Sequence, residues 1–266
     1  MKLRVSIITI QRNNLPYLEK YAQALRENTS YPNFEVILID NCSIPSMAKD
    51  ISTIVERMGS IHVTVYLNKK VKSFAENCNF GASKASGDLL CFLNDDTEPQ
   101  KDWLTEMVKT KEKNKDCGIV GARMWFPNQI IQHCGIAFHK NKMPGHIWWG
   151  QIHKDDERIQ KEREFNAVTG GCLLITSNLF KIIGGFDTKY ERAGYEDIDL
   201  CLRVRVAGHK IYYSPKAGLI HHEKVTQNKI NTFERQSYFV KNTKLFLERW
   251  ADKIVPDYSK YEPGVE

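Results

Sequence analysis

The 266-residue chain lacks several features that would assign it quickly. Its seven cysteines are odd in number and include no CxxC pair. That argues against a disulfide framework and against a zinc cluster; several cysteines lie inside apolar runs and read as buried free thiols of a reducing compartment. No apolar stretch approaches the roughly 20 residues needed to cross a bilayer. The opening MKLRVSIITI is basic and then apolar, as a leader would be. Its apolar part is short, is interrupted by Ser6 and Thr9, and lacks a small-residue cleavage site, so it reads as a strand. The loop after it, TIQRNN, has no glycine, which excludes a glycine-rich phosphate cradle there. Internal repeats and low-complexity linkers are also missing, which excludes a solenoid.

What is present describes an ordinary globular chain. Hydrophobic residues make up 42%, enough for one sizeable core or two fused halves sharing one. Charged residues at 26% and aromatics at 11% exclude a disordered chain. The net charge of +6 suits an anionic partner, such as a nucleoside diphosphate or an acidic membrane surface, without choosing between them.

Strand and helix patterns alternate in the first half. RVSIITI and FEVILID read as buried strands, HVTVYL as a third and DLLCFLN as a fourth. Helices are expected over NLPYLEKYAQALREN, near Ser46–Met58, and over Ala75–Ala85 with Gly87 as a stop. Such alternation implies a mostly parallel central sheet flanked by helices, with ligands beyond the carboxyl ends of the strands. Thr9–Asn13, Asp40 and Asn94–Asp96 all fall at such ends. Later come a strand GIVGARMWF, short strands in QHCGIAFH, and a strand GGCLLIT. A short helix SNLFKIIGG is expected to be capped by Ser177 or Asn178 and stopped by Gly184. A longer helix, YEDIDLCLRVRVAG, a strand KIYYSP, a segment AGLIHHE and a final helix FERQSYFVKNTKLFLERW follow. The tail beyond Val255 has two prolines and little apolar content, and is expected to be loosely held.

Two acidic clusters raise chemical questions. CFLNDDTEP starts as a buried strand and ends in Asn94, Asp95 and Asp96, with Glu98 close behind. Carboxylates repel one another and resist burial. Either water solvates a turn in which Asp96 or Thr97 caps the next helix, or a cation belongs there. YEDIDLCLR puts Glu196, Asp197 and Asp199 at a helix start. Asp197 there is either an N-cap, with its neighbours complementing the helix dipole, or a functional base. Asp199 and Arg203, one turn apart, are expected to form a surface ion pair of structural role.

In order and spacing, from Val5 to His222, these segments resemble the inverting family 2 glycosyltransferases of GT-A fold, a Rossmann-like fold for nucleotide-diphospho-sugar transferases. The resemblance rests on VSIITI, FEVILIDNCS, SFAENCNFGASKASGDLLCFLNDDTEP, AVTGGCLLITSNLFKIIGGFD and YEDIDLCLRVRVAGHKIYYSPKAGLIHHE. FPNQIIQHCGIAF and GHIWWG look like the bacterial rhamnosyl- and O-antigen-type branch. It implies a nucleotide-sugar-binding half in residues 1–125, an acceptor-binding and catalytic half in 126–225, and a C-terminal helix and tail in 226–266.

The resemblance also implies roles. Asn94-Asp95-Asp96 stands at the family's Asp-x-Asp motif, with Asn94 a neutral variant of the first acid. A departing diphosphate gains negative charge, which a divalent cation (Mn²⁺ or Mg²⁺) stabilises with few protein ligands. Asp96 would be a metal ligand and Asp95 a contact to sugar or ribose; His221 would complete the metal site, with adjacent His222 the alternative and a structural histidine the plain one. Asp40 would accept the N3–H of uracil or thymine, or else form a turn with Asn41. Thr9, Gln11 and Arg12 would wall the base and diphosphate, although relatives often carry a Pro-Thr-Tyr-Asn type sequence there. Asn79 and Gly81 match an Asn-x-Gly whose glycine serves either donor approach or helix packing. Gly170 and Gly171 would carry backbone against donor and acceptor, or simply make a tight turn. Asp197 would be the base that takes the acceptor proton, with Glu196 orienting the acceptor or sharing that work.

Trp148 and Trp149 are adjacent and cannot both face the core on a strand. One is expected at an acceptor site, a membrane or a partner surface, with an oligomer contact as the alternative. The expected activity is transfer from a UDP- or dTDP-sugar to a glycan or lipid-linked glycan, in the cytoplasm or peripherally at the inner face of the membrane, with no nucleic acid partner. A sugar nucleotidyltransferase and a non-catalytic nucleotide- or glycan-binding module are the competing readings. The first needs the glycine-rich loop that TIQRNN lacks; the second predicts loss of acids that are present.

Overall fold

The computed structural model describes residues 2–223 and 232–262. The first half alternates as expected: β1 (Val5–Gln11), α1 (Leu15–Asn28), β2 (Phe34–Asp40), α2 (Ala48–Glu56), β3 (Val63–Leu67), α3 (Phe74–Lys84) and β4 (Leu89–Leu93). These four strands are parallel in the order β4-β1-β2-β3, with Ile7 opposite both Val36 and Cys91. Parallel strands are covered on both faces, and the alternation follows from that. Val5, Ile7, Val36 and Leu38 pack with α1 and α2, whereas Ile8, Ile37 and Ile39 pack on the opposite face.

The second half holds β5 (Thr97–Pro99), α4 (Trp103–Lys113), β6 (Cys117–Trp125), β7 (Ile131–His133), β8 (Ile136–Phe138), β9 (Pro144–His146) and β10 (Arg163–Phe165). It continues through β11 (Cys172–Thr176), α5 (Ser177–Ile183), α6 (Glu196–Val206), β12 (Lys210–His221) and α7 (Thr232–Trp250). The sheet runs β10-β12-β6-β11-β4-β1-β2-β3, with β11 antiparallel to both of its neighbours. This reversal brings the start of β11 beside the end of β4, so residues 170–171 meet Asn94.

Several expectations change. KIYYSP and AGLIHHE form one strand, β12, bent by an irregularity between Ser214 and Gly218. Helix α4 is the helix that follows the CFLNDDTEP stretch, and Trp103, Leu104, Met107 and Val108 repeat in it at helical spacing and are all buried. It begins after Asp102, and Thr97 lies in β5, so neither Asp96 nor Thr97 caps a helix. Thr176, not Ser177 or Asn178, caps α5 by accepting from Leu179 N at 3.2 Å, while Gly184 ends it at φ +83° as expected.

The tail is docked as far as Glu262. Asp257 accepts Phe138 N at 2.8 Å and Asn166 Nδ2 at 2.7 Å, and Tyr258 donates to His146 O at 3.0 Å. Pro256 does not loosen this stretch because these polar contacts replace regular pairing, while Pro263 lies outside the described residues.

Asp199 is fully buried rather than part of a surface ion pair. Its carboxylate takes Arg203 Nε at 2.7 Å, Arg249 at 2.6 Å and Trp250 Nε1 at 2.9 Å, which ties α7 to α6. Arg249 also reaches Asp187 at 2.6 Å. Removing one partner of such a pair leaves an uncompensated buried charge. Asp199→Ala is therefore expected to lower unfolding free energy by about 3–5 kcal/mol in urea titrations; a loss under about 1 kcal/mol would contradict this role.

Candidate active site

A cleft of about 660 Å³ opens at the carboxyl ends of β1 and β4 and the start of α6. Its size suits a small-molecule ligand. Gln11, Arg12, Asn94, Asp95, Asp96 and His221 line one part, and Gly170, Gly171, Glu196 and Asp197 another.

Asp96 Oδ1 stands 3.1 Å from His221 Nε2. The other ring nitrogen, Nδ1, meets Gln132 Oε1 at 2.5 Å. Adjacent ligands about 2.1 Å from one octahedral ion stand about 3 Å apart, so this pair fits one carboxylate and one imidazole on a shared divalent cation. Among the described residues, no group of three or more His, Cys, Asp or Glu side chains could hold a metal ion. A divalent ion held by few protein donors completes its shell with water and ligand oxygens. His222 is engaged elsewhere: its Nε2 meets Glu98 at 2.6 Å, and Tyr17 packs edge-on against its ring. Asn14 Nδ2 donates to Asp95 at 3.0 Å.

The turn at residues 170–171 joins the two acidic clusters. Asn94 N donates to Gly171 O at 3.0 Å, and Gly170 N donates to Asp197 Oδ2 at 2.7 Å. A Cβ on Gly170 would lie 3.1 Å from Asp197 Cβ, so the glycine permits a close approach. The turn lies in the cleft wall.

Asp197 is not an N-cap. That position belongs to Tyr195, in the left-handed region at φ +73° with no side-chain cap. Its ring stacks on Phe246 at 5.0 Å, and Thr243 donates to its hydroxyl at 3.1 Å. Asn242 accepts Glu191 N at 2.9 Å and donates to Glu191 O at 2.9 Å. Helix α7 thus holds the loop that presents the acids. Gly194 N donates to Glu196 at 2.5 Å. Burial, then the adjacent Asp197 carboxylate, push the Glu196 carboxyl up from its usual 4.5 to about 8. His133 and His146 share an Nδ1–Nδ1 contact of 3.0 Å, and burial lowers both imidazoles, His133 strongly.

Other expected residues fall outside the cleft wall. Thr9 is buried beneath it with its hydroxyl 2.6 Å from Tyr21 Oη, because it points into the α1 side of the sheet. Asn79 bonds Phe186 N at 2.9 Å and Phe186 O at 2.8 Å, bracing the turn after α5. Gly81 serves packing, since a Cβ there would meet Ile8 Cγ2 at 2.5 Å. Asp40 borders the cleft through Gln11 and Asn41, but it is closed into a turn: Ser43 Oγ donates at 2.5 Å, Ser43 N at 3.2 Å, and Gln11 Nε2 also donates. Trp149 lines the cleft at 46% exposure. Trp148 does not; it is buried in a separate cluster with Trp125 and Ile131, with Arg158 and Arg163 near its ring. Gln132, Asn14 and Asn242 had no sequence signal, since common amides mark nothing until their partners are known.

Residues 6–181 match the model of glycosyl transferase family 2. The chain belongs to glycosyl transferase family 2. Residues 151–228 also match the N-terminal domain of galactosyltransferase. The chain is similar to uncharacterized protein y4gI of Sinorhizobium fredii, 30% identical over 98% of this chain and 29% of that protein. It is also similar to the O-antigen biosynthesis protein RfbC of Myxococcus xanthus, 28% identical over 84% of this chain and 18% of that one. The chain thus spans under a third of these relatives' lengths. Its fold is the GT-A fold. It aligns with GalNAc-T7 in complex with UDP, GalNAc and Mn²⁺ at TM-score 0.69 and 18% identity, over 82% of this chain and 43% of that one. It aligns with the mannosyltransferase PcManGT of Pyrobaculum calidifontis, in complex with GDP-Man and Mn²⁺, at 0.68 and 17%, over 98% and 68%. Family and fold set the nucleotidyltransferase reading aside.

The raised Glu196 carboxyl has a consequence for stability. The folded state keeps a proton that the unfolded chain has released, so its contribution is full below about 4.5 and is lost as pH rises towards about 8. Between those values the slope is at most about 1.4 kcal/mol per pH unit. Glu196→Gln should flatten that slope in urea titrations at pH 5, 7 and 9; an unchanged slope would place the ionisation elsewhere.

Proposed function

We propose that this chain is the catalytic domain of a metal-dependent inverting glycosyltransferase. It moves a sugar from a UDP- or dTDP-sugar to a hydroxyl of a glycan or lipid-linked glycan. The observation that carries the reading is the 170–171 turn, which bonds Asn94 on one side and Asp197 on the other, with Asp96, His221 and Glu196 lining the same cleft.

Asp96 and His221 would hold a Mn²⁺ or Mg²⁺ ion. Bound there, the ion would supply charge stabilisation to the departing diphosphate. Asp197 accepts the proton of the acceptor hydroxyl as that oxygen forms its bond to the sugar's anomeric carbon. The bond from that carbon to the diphosphate breaks with its electron pair, on the opposite face. Glu196, kept protonated by burial, adds no second charge beside Asp197 and donates to the acceptor. Gln11, Arg12 and Asp95 face the donor, with Asp40 and Ser43 behind Gln11. Trp149 offers an apolar ring face to the acceptor.

Similarity to the O-antigen protein RfbC supports a place in surface-polysaccharide biosynthesis, in the rhamnosyl and O-antigen-type branch. We assign donor binding to residues 1–125 and acceptor binding and catalysis to 126–225, with the C-terminal helix bracing the latter. No helix among the described residues is long and apolar enough to cross a membrane. We place the reaction in the cytoplasm, with peripheral contact at the membrane's inner face.

Release of nucleoside diphosphate from a panel of donors, with Mn²⁺ against EDTA, tests the reading. Asp197→Asn should keep donor binding and lose transfer by about 10²–10⁴-fold. Asp96→Ala should also weaken metal-dependent donor binding. Transfer at the normal rate by Asp197→Asn would remove the base assignment, and no metal-dependent release with any donor would remove the function.

A further inference from the structure

Gln132 is the extra residue of a β-bulge. Strand β7 pairs Ile131 with Trp125 and His133 with Met124, so Gln132 has no opposite number on β6. Bulges re-aim side chains and gather beside active sites. This one is 4% exposed and lines the cleft.

Its amide bridges two groups. Gln132 Nε2 donates to Glu223 Oε2 at 3.2 Å, and Oε1 faces His221 Nδ1, 2.5 Å away. A carbonyl oxygen accepts only, so Nδ1 carries a proton. Nε2 lies 3.1 Å from Asp96 Oδ1 and 3.4 Å from Asn94 Nδ2. An imidazole that ligates a cation carries a single proton, so with Nδ1 protonated Nε2 is the nitrogen available to an ion beside Asp96.

We propose that Gln132, oriented by Glu223, is a positioning residue that fixes His221 as its Nδ1–H tautomer and so presents Nε2, with Asp96, to a single divalent cation. The inference rests on the metal reading above. Outer partners of this kind typically change metal affinity by about 10–100-fold when lost.

The test uses the whole chain. Long-range ¹H–¹⁵N spectra of the protein with Mg²⁺ and UDP report the His221 tautomer, and Mn²⁺ electron paramagnetic resonance in the presence of UDP reports affinity. Wild type should show Nδ1–H. Gln132→Met should show Nε2–H or a mixture and bind Mn²⁺ about 10–100-fold more weakly, with thermal unfolding confirming a folded chain. Glu223→Gln, which keeps the hydrogen bond but frees the amide to flip, should give a tautomer mixture and a smaller loss. Nε2–H in wild type, or an unchanged tautomer and affinity in both variants, overturns the proposal. If wild type shows Nδ1–H, both variants shift it, and Mn²⁺ does not bind wild type, the metal reading falls and the tautomer role of Gln132 stands.

Discussion

Two backbone hydrogen bonds, Asn94 N to Gly171 O and Gly170 N to Asp197, hold the candidate site together. Asn94 and Asp197 lie about a hundred residues apart in the chain, so the function proposed for the two clusters together depends on this junction. The antiparallel insertion of β11 is what makes the junction available, because it turns the chain back against the end of β4. The glycine at 170 then admits Asp197 at a distance that a side chain would crowd.

Crowding carboxylates has an electrostatic penalty, and the structure answers it locally. Asp95, Asp96, Glu196, Asp197 and Glu223 all line one cleft. Glu196 holds its proton, Asp197 takes two backbone N–H groups, and Asp95 takes Asn14. Arg12, Lys72 and Arg192 line the same cleft and offset part of the field. Further back, Asp199 binds α7 through Arg249 and Trp250, while Asn242 holds the loop before α6. The left-handed Tyr195 is a backbone state that costs roughly 1–3 kcal/mol, and it persists because α7 packs on its ring. The C-terminal helix is thus a support for the loop that presents Glu196 and Asp197.

How much of this was legible depended on what each residue's role rests on. Strand ends follow from a period of two and a polar stop, so the sheet and the place of Asn94–Asp96 at a strand end could be found from spacing, whereas the roles expected of Asp96 and Asp197 came from the family resemblance. Roles that depend on which way a side chain turns could not. Thr9 and Gln11 share a strand face by alternation, yet Thr9 is buried on Tyr21 and Gln11 reaches the cleft. Trp148 and Trp149 were separable into one buried and one exposed ring, but not into which was which. Trp148, at φ +52°, turns into the small cluster around Trp125. Gln132 depended on a bulge, and a one-residue register irregularity leaves no trace in composition or periodicity.

Asn94 shows why the departure from a strict acidic motif is coherent. A carboxylate there would add a charge beside Asp96. The amide adds none: its Nδ2 stands 3.4 Å from His221 Nε2, and its backbone N–H holds Gly171. A cation bound beside Asp96 would keep more of its charge for a ligand's diphosphate than one held by two carboxylates.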